Sequence, residues 1–343
     1  MLIHISIFLL GLVLLVKGSD FFVEAASRIA RRFKISEFLI GITLVAVGTS
    51  IPELSASIIA AIKNQSGIIV GNIVGSNIAN IGLIIGISAV ISTIKSNKRI
   101  LRIDGYIMML AAILFLIFAI NGKISMQEGI IFLIIYSAYI IFMIESKDSF
   151  KKNHFSEFLD YFMYFRYLTT IKKVAIKHIF QRHDNGSNKK ISHMKTIMDI
   201  IIIIFSILAI IVGADYIVKE GVWFANFFNV PSSIIALSVI AIGTSLPELG
   251  VAIMAARKGF DDILLGNIVG SNIVNILLII GITSIIKPIQ TSYITIFYTI
   301  PFMILMSGLL IYFLMKKSRL ERKHGIAMLA IYIIFMVAIF VMM

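Results

Sequence analysis

An internal repeat constrains the fold of this chain more than any other feature of its sequence. When the sequence is shifted by 195 residues, residues 46–87 align with 241–282 without a gap, and 27 of the 42 positions are identical. The similarity extends weakly to earlier segments, where Gly18 and Asp20 align with Gly213 and Asp215. Such a repeat predicts two structurally related halves.

The composition places these halves in a membrane. Hydrophobic residues make up 59% of the chain and charged residues 14%, whereas soluble domains carry about 25% charged residues. The apolar runs are continuous, which favours spanning helices over the alternating pattern of a β-barrel. The sequence predicts ten helices, at about 3–30, 36–62, 68–92, 103–120, 127–145, 197–222, 232–256, 262–286, 291–315 and 324–342.

The basic residues predict how these helices are oriented. Connections after odd-numbered helices contain 26 of the 31 Lys and Arg, and those after even-numbered helices contain four. Because basic residues concentrate in cytoplasmic loops, we expect both termini to be extracellular and the protein to lie in the cell membrane. The net charge of +13 is therefore attributed to membrane topology, and no nucleic-acid partner is expected.

Five helices per half is an odd number, so the second half must be inverted relative to the first. The predicted fold class is an all-α polytopic membrane protein with ten transmembrane helices in two inverted five-helix repeats. The predicted domains are 1–145 (first repeat, motif 46–87), 146–196 (cytoplasmic connecting loop) and 197–343 (second repeat, motif 241–282). This architecture is typical of secondary transporters, whose substrate sites lie near the membrane midplane between the repeats.

Each half contains one glutamate deep in an apolar helix. Residues 48–54 read GTSIPEL and residues 243–249 read GTSLPEL, which places Glu53 and Glu248 at equivalent positions. A buried carboxylate at that depth requires compensation. No Lys, Arg or His occurs in 36–62 or 231–256. The sequence therefore indicates compensation by a metal cation or a proton.

The neighbouring residues favour a metal cation that prefers oxygen ligands. Thr49 and Glu53 are four residues apart, so a continuous helix would place them on one face. Pro52 and Pro247 lack a backbone donor, which frees carbonyl oxygens one turn earlier. A second motif, GNIVGSNI at 71–78 and 266–273, adds amides and hydroxyls, with Asn80 and Asn275 following it. Calcium takes 6–8 oxygen ligands, whereas softer metals prefer sulfur or imidazole.

Structural interpretations of the same residues remain open at this point. The Gly71/Gly75 and Gly266/Gly270 pairs suit close helix packing, as does Gly82/Gly86. The asparagines could join helices by hydrogen bonds. The hydroxyls at positions 49, 50, 244 and 245 could bond back to their own helix, and the two glutamates could be protonated.

Together, the two repeated motifs closely resemble the α-repeats of the sodium/calcium exchanger family, within the cation/Ca²⁺ antiporter superfamily, in its compact prokaryotic or archaeal form. The resemblance implies that helices 1 and 6 slide past a core of eight helices. It implies a Ca²⁺ site formed by Glu53, Glu248, Thr49 and Thr244. It further implies Na⁺ sites formed by Ser50, Ser245, Ala46, Ala241, Ser76, Ser271, Asn80 and Asn275. Some relatives, notably the K⁺-dependent exchangers, have aspartate at the position of Asn275, so the resemblance argues against K⁺ co-transport.

The predicted function is secondary active antiport of Na⁺ against Ca²⁺ by alternating access. A Ca²⁺/H⁺ exchanger of the same superfamily is the alternative, and a passive cation channel is a remote one. An intramembrane hydrolase is disfavoured because Ser50 and Ser245 have no predicted base nearby, so no enzyme is expected. We expect no cofactor apart from the transported ions, a lipid bilayer as the surroundings, and no obligate protein partner.

Overall fold

The structure is a computed structural model that describes residues 1–33, 36–96, 98–145, 154–166, 188–227 and 243–342. Helices dominate this part of the chain, as the continuous apolar runs predict. They are α1 (Leu2–Phe33), α2 (Glu37–Thr49), α3 (Ile51–Ile62), α4 (Ser66–Ile91), α5 (Lys98–Ala119), α6 (Met126–Glu145), α7 (His154–Met163), α8 (Asn188–Phe227), α9 (Leu246–Lys258), α10 (Asp261–Ile286), α11 (Ile300–Lys317, after a π-helical turn at Thr295–Thr299) and α12 (Arg322–Met342).

Seven of the helices in the described ranges are long and apolar enough to cross a membrane, and the bent pair α2 and α3 would be an eighth. The apolar part of α5, Ile103–Ala119, falls just short of that length. The predicted helix 232–256 is only partly described, because residues 228–242 lie outside the described ranges. The chain is therefore an all-helical membrane protein with several spans.

The predicted helix 36–62 is wrong as a continuous helix. It breaks at Ser50, and α2 and α3 meet at a bend of 45°. Ser50 has φ −84° and ψ 8°, and Pro52 follows in the first turn of α3. Because proline cannot donate a backbone hydrogen bond, the helix cannot continue its ladder through this point. Ser245 repeats this geometry before α9, with φ −89° and ψ 5°.

The equivalent helices α4 and α10 share a second irregularity. Each contains a π-helical turn, at Asn80–Ile85 in α4 and at Val274–Ile280 in α10. Such turns are rare and often occur at functional sites. Here they include Asn80 and Asn275, the last polar residues of the repeated motif.

Small residues allow α10 to pack directly against α2. A Cβ atom added to Gly266 would lie 2.6 Å from the carbonyl oxygen of Phe38, and one added to Gly270 would lie 2.7 Å from that of Ile42. The predicted packing role is therefore correct for this pair. Gly71 and Gly75 have no such neighbour among the described residues, and the counterpart segment 228–242 lies outside them. Gly82 and Gly86 pack closely against α12, as predicted.

Within the described ranges, four short strands connect the two halves in antiparallel pairs. Strand β1 (Ile94–Lys95) pairs with β4 (Arg319–Leu320), and β2 (Lys123–Ile124) pairs with β3 (Ile289–Gln290). The 195-residue shift carries Ile94 to Ile289 and Ile124 to Arg319, so it exchanges one ladder for the other. The two halves therefore contact each other in equivalent ways at both ladders.

Helices α1 and α8 form a close pair beside this core. A Cβ atom on Gly213 would lie 2.7 Å from the carbonyl oxygen of Gly11, which shows how closely the two backbones approach. Ion pairs fasten the pair toward both ends, between Asp199 and Arg28 (2.8 Å) and between His4 and Glu220 (2.7 Å). The pair therefore packs as one unit.

Part of the predicted connecting loop 146–196 is described. In it, α7 places the buried Phe158 against Tyr139 and Phe142 of α6. The following Met163, Tyr164 and Phe165 are exposed. This short amphipathic helix therefore docks on the core by one aromatic face.

Candidate ion-binding site

The two glutamates lie in the first turns of the helices that follow the breaks. Glu53 is in the first turn of α3 and Glu248 in the first turn of α9, and their exposed fractions are 0% and 1%. The backbone amides at a helix N-terminus carry partial positive charge, which stabilises nearby carboxylates. No basic side chain of the described residues pairs with either glutamate.

Residues from both halves surround these carboxylates. Ser50 of the first half donates its hydroxyl to Oε1 of Glu248 in the second half, at 3.3 Å. Thr49 donates to Oδ1 of Asn267 at 3.1 Å and lies 3.5 Å from the hydroxyl of Ser271. The site is therefore at the contact between the repeats, where the broken helix of one half meets α10 of the other.

Buried oxygen atoms without partners distinguish this region. Among the described residues, seven oxygens of the repeated motifs are buried and accept or donate no hydrogen bond. They are Oε1 and Oε2 of Glu53, Oγ of Ser76, Oδ1 of Asn80, Oγ of Ser245, Oε2 of Glu248 and Oδ1 of Asn275. Buried polar atoms without partners are uncommon and costly. This set of oxygens can satisfy a hard cation.

The oxygens come from segments that pack together. The π-helical turn containing Asn275 packs against α3, which bears Glu53, and the turn containing Asn80 packs against α9, which bears Glu248. No group of three or more His, Cys, Asp or Glu that could hold a metal occurs in the described part of the chain. A cation here must therefore be held by two carboxylates together with neutral oxygens.

The sequence matches the pattern of a known transporter family. A family model described as sodium/calcium exchanger protein matches residues 3–145 and 198–341.

The chain belongs to the sodium/calcium exchanger family.

Proteins similar to this chain match it over most of its length. Sodium/calcium exchanger MaX1 of Methanosarcina acetivorans is 42% identical, and the alignment covers 98% of this chain and 99% of that protein. Inner membrane protein YrbG of Escherichia coli is 30% identical over 84% of this chain and 81% of its own length. A solved structure of the sodium-calcium exchanger NCX_Mj, soaked with zero Na⁺ and Ca²⁺, matches with a TM-score of 0.78 at 30% identity, covering 98% and 99% of the two chains. The predicted family is confirmed.

The predicted site residues of this family member fall into three groups. Thr49, Ser50 and Ser271 contact one another or Glu248 across the repeats. Ser76, Ser245, Asn80 and Asn275 each have an unpartnered oxygen, as given above. Ala46 is buried, and its carbonyl accepts from the backbone amide of Ser50 at 3.1 Å.

The remaining two predicted residues are Thr244, which forms no hydrogen bond to the site among the described residues, and Ala241. Thr244 is half-buried beside Ser245. Ala241 lies outside the described residues. The equivalent first-half residues, Ala46 and Thr49, are both described and buried.

The structural alternatives hold for some of these residues. The Thr49 hydroxyl does bond back to its own helix, at 3.1 Å from the carbonyl of Val45. Ser50 does not, because its hydroxyl reaches Glu248. The interhelical hydrogen bonds expected of the asparagines occur at Asn77 and Asn272 and also at Asn80 and Asn275.

Sequence reasoning missed two things. It expected interhelical hydrogen bonds of the asparagines in general but did not single out Asn77 and Asn272, which connect the two halves, although both recur within the most strongly repeated stretch. It also gave no partner to Asp20, which forms an ion pair with Lys258 of α9.

Proposed function

We propose that this chain is a secondary active antiporter that exchanges Na⁺ for Ca²⁺ across the membrane by alternating access. One observation carries the proposal: buried carboxylate, hydroxyl and amide oxygens on segments that pack together lack hydrogen-bond partners, and no described basic side chain compensates the two carboxylates. Family membership and the printed activity of the relative MaX1 support the choice of ions.

The proposed Ca²⁺ ligands are Glu53, Glu248, Thr49 and Thr244. Two carboxylates balance the charge of one divalent ion, and the hydroxyls extend the oxygen set that calcium requires. Burial of both glutamates supports this role, because the ion would remove the cost of their charge in a low-dielectric region.

The proposed Na⁺ ligands are the remaining oxygens of the same region: Ser50, Ser245, Ser76, Ser271, Asn80, Asn275 and the carbonyls of Ala46 and Ala241. Since these sites share the two carboxylates with Ca²⁺, binding of the two ions is competitive. Exchange then follows from the requirement that one ion leaves before the other binds.

The proposed architecture is ten spans in two inverted repeats, with domains 1–145, 146–196 and 197–343. The exchange of the two strand ladders by the 195-residue shift supports this arrangement. The distribution of Lys and Arg supports extracellular termini and a cytoplasmic 146–196 loop in the cell membrane.

The test is a flux assay on the purified protein in lipid vesicles. Vesicles loaded with Na⁺ and diluted into Na⁺-free medium are expected to accumulate radiolabelled Ca²⁺, and vesicles with Na⁺ on both sides are expected to accumulate little. Uptake that does not depend on the Na⁺ gradient would contradict the proposal.

The same vesicles distinguish the alternative functions. Uptake driven by a pH gradient in the absence of Na⁺ would identify a Ca²⁺/H⁺ exchanger. Uptake that requires no counter-ion and does not saturate would identify a channel. Uptake driven by K⁺ together with Na⁺ would contradict the expectation drawn from Asn275.

A further inference from the structure

Four asparagines form a hydrogen-bonded lattice at the contact between the repeats. All four side chains are 1% exposed. Asn77 of α4 donates to the backbone carbonyl of Asn272 in α10, and Asn272 donates to the backbone carbonyl of Asn77, both at 3.4 Å. Each half therefore donates the same side-chain hydrogen bond to the backbone of the other half.

Each of these two asparagines also contacts a residue of the proposed Na⁺ sites. Asn275 donates its side-chain amide to Oδ1 of Asn77 at 2.9 Å. Asn80 donates to Oδ1 of Asn272 at 3.0 Å. The 195-residue shift exchanges these two bonds.

The second amide hydrogens of the bridging pair also have matched neighbours. Nδ2 of Asn77 lies 3.5 Å from Sδ of Met303, and Nδ2 of Asn272 lies 3.6 Å from Sδ of Met108. Met108 and Met303 are again 195 residues apart. A thioether sulfur can only accept, so both amide hydrogens of each bridging asparagine point toward acceptors.

The order of donors and acceptors in this lattice is fixed from the backbone outward. A backbone carbonyl can only accept, so Asn77 must present its nitrogen to Asn272. Its own oxygen then faces Asn275, which must respond with nitrogen because two oxygens would repel. That orientation leaves Oδ1 of Asn275 without a protein donor. The same reasoning leaves Oδ1 of Asn80 unpartnered.

We propose that Asn77 and Asn272 are positioning residues that make Asn275 and Asn80 present oxygen, and not nitrogen, to the Na⁺ sites. A side-chain amide placed the other way would direct two N–H groups at the cation. The inference rests on the proposed function, because it takes the unpartnered amide oxygens as Na⁺ ligands. Asn77 and Asn272 themselves are saturated by protein contacts and bind no ion.

The test is a double-mutant cycle on the full-length protein, with Na⁺ displacement of bound radiolabelled Ca²⁺ as the readout. Asn77→Ala and Asn275→Ala are each expected to raise the Na⁺ concentration that displaces half of the bound Ca²⁺ about tenfold. This is the effect expected when one ligand oxygen is lost. The combined Asn77→Ala/Asn275→Ala variant is expected to be no worse than the poorer single variant, because both changes remove the same ligand oxygen. Asn77→Ala combined with Asn80→Ala is the matched control, and its effects are expected to multiply.

Several outcomes would overturn the inference. Multiplying effects in the Asn77/Asn275 pair would mean that Asn77 does not act through Asn275. An Asn77→Ala variant with reduced thermal stability but unchanged Na⁺ displacement would mean a purely structural role. If the alanine variants do not fold, Asn77→Ser serves instead, because its hydroxyl keeps a polar group in the core but is too short to hold Asn275.

The result is separable from failure of the proposed function. If the unmodified protein binds Ca²⁺ and Na⁺ does not displace it, the proposed exchange fails before any variant is made. If displacement occurs and the cycle is multiplicative, the exchange stands and the positioning role fails.

Discussion

At the contact between the repeats, Asn77 and Asn272 make the same bond in both directions at 3.4 Å, whereas at the flank of the core the repeat is broken. Lys258 of α9 forms ion pairs with Asp20 and Glu24 of α1. Its counterpart Lys63 is exposed and forms no ion pair with any described residue. Asp215, the counterpart of Asp20, pairs instead with Lys219 of its own helix at 2.7 Å.

The same contrast extends along the helices that follow the two breaks. On α9, a Cβ atom at Gly250 would lie 2.7 Å from the hydroxyl of Ser19 and 3.2 Å from Leu15 of α1. On α3, the corresponding face is open: Ile51 is 38% exposed and Ile59 is 53% exposed. The α1/α8 pair therefore packs closely against α9 of the second half, whereas the equivalent face of α3 is exposed.

The asparagine contact and the packing of the α1/α8 pair therefore behave differently within the same inverted repeat. The asparagine lattice at its centre can keep one geometry, because it lies at the contact where each half donates the same hydrogen bond to the other. The flanking pair cannot contact both equivalent surfaces in the same way at once. Under the proposed alternating access, the flank is where the molecule changes, and the centre is where it holds the ions.

Replacing either of the two equivalent glutamates is expected to give the largest effect. Glu53→Gln and Glu248→Gln should each reduce Na⁺-driven Ca²⁺ uptake by about 100-fold or more, because each removes half of the charge that neutralises the divalent ion. The measurement is initial uptake in Na⁺-loaded vesicles at equal protein content. Asp215→Asn, an exposed acidic residue on α8, is the control and should change uptake less than about twofold. Near-normal uptake by either glutamine variant would mean that its carboxylate is not required for Ca²⁺ transport.

Overfilling the contact between α2 and α10 is expected to act on stability. Gly270→Val should lower the free energy of unfolding by about 1–3 kcal/mol, because its side chain would meet Ile42 and Ala46 of α2. Thermal unfolding in detergent checks this. Gly67→Ala is the control, since Gly67 is exposed in the first turn of α4 with no neighbour among the described residues. Equal melting temperatures for the two variants would mean that the close approach of α2 and α10 does not contribute to stability.

Removing the ion pairs between Lys258 and α1 is expected to have the smallest effect. Lys258→Met should increase the rate at which a water-soluble thiol reagent modifies Ser19→Cys by about fivefold, because a partly exposed ion pair contributes about 1 kcal/mol. The chain contains no cysteine, so the introduced thiol reports alone. Lys63→Met is the matched control from the other half and should leave the rate unchanged. Equal rates in both variants would mean that Lys258 does not hold α1 in place.

The sequence by itself determined the membrane class, the family and the residues proposed for the site. Continuous apolar runs leave helices as the means of satisfying the backbone in lipid. The repeated GTS-x-PEL motif identifies Glu53 and Glu248 without any coordinates, because an uncompensated acid in an apolar helix is unusual. The repeat also paired each residue of 46–87 with its equivalent in 241–282.

Only the tertiary structure decided how those equivalent residues differ. The break at Ser50 was hidden because Thr49 and Glu53 have the spacing of a continuous helix, and a proline can bend a helix or end it. The roles of Asn77 and Asn272 depend on contacts across 195 residues of sequence, and no local pattern reports such contacts. Lys63 and Lys258 occupy equivalent positions of the repeat, yet among the described residues only Lys258 forms ion pairs with α1, because packing partners and not the motif set the surroundings of a side chain.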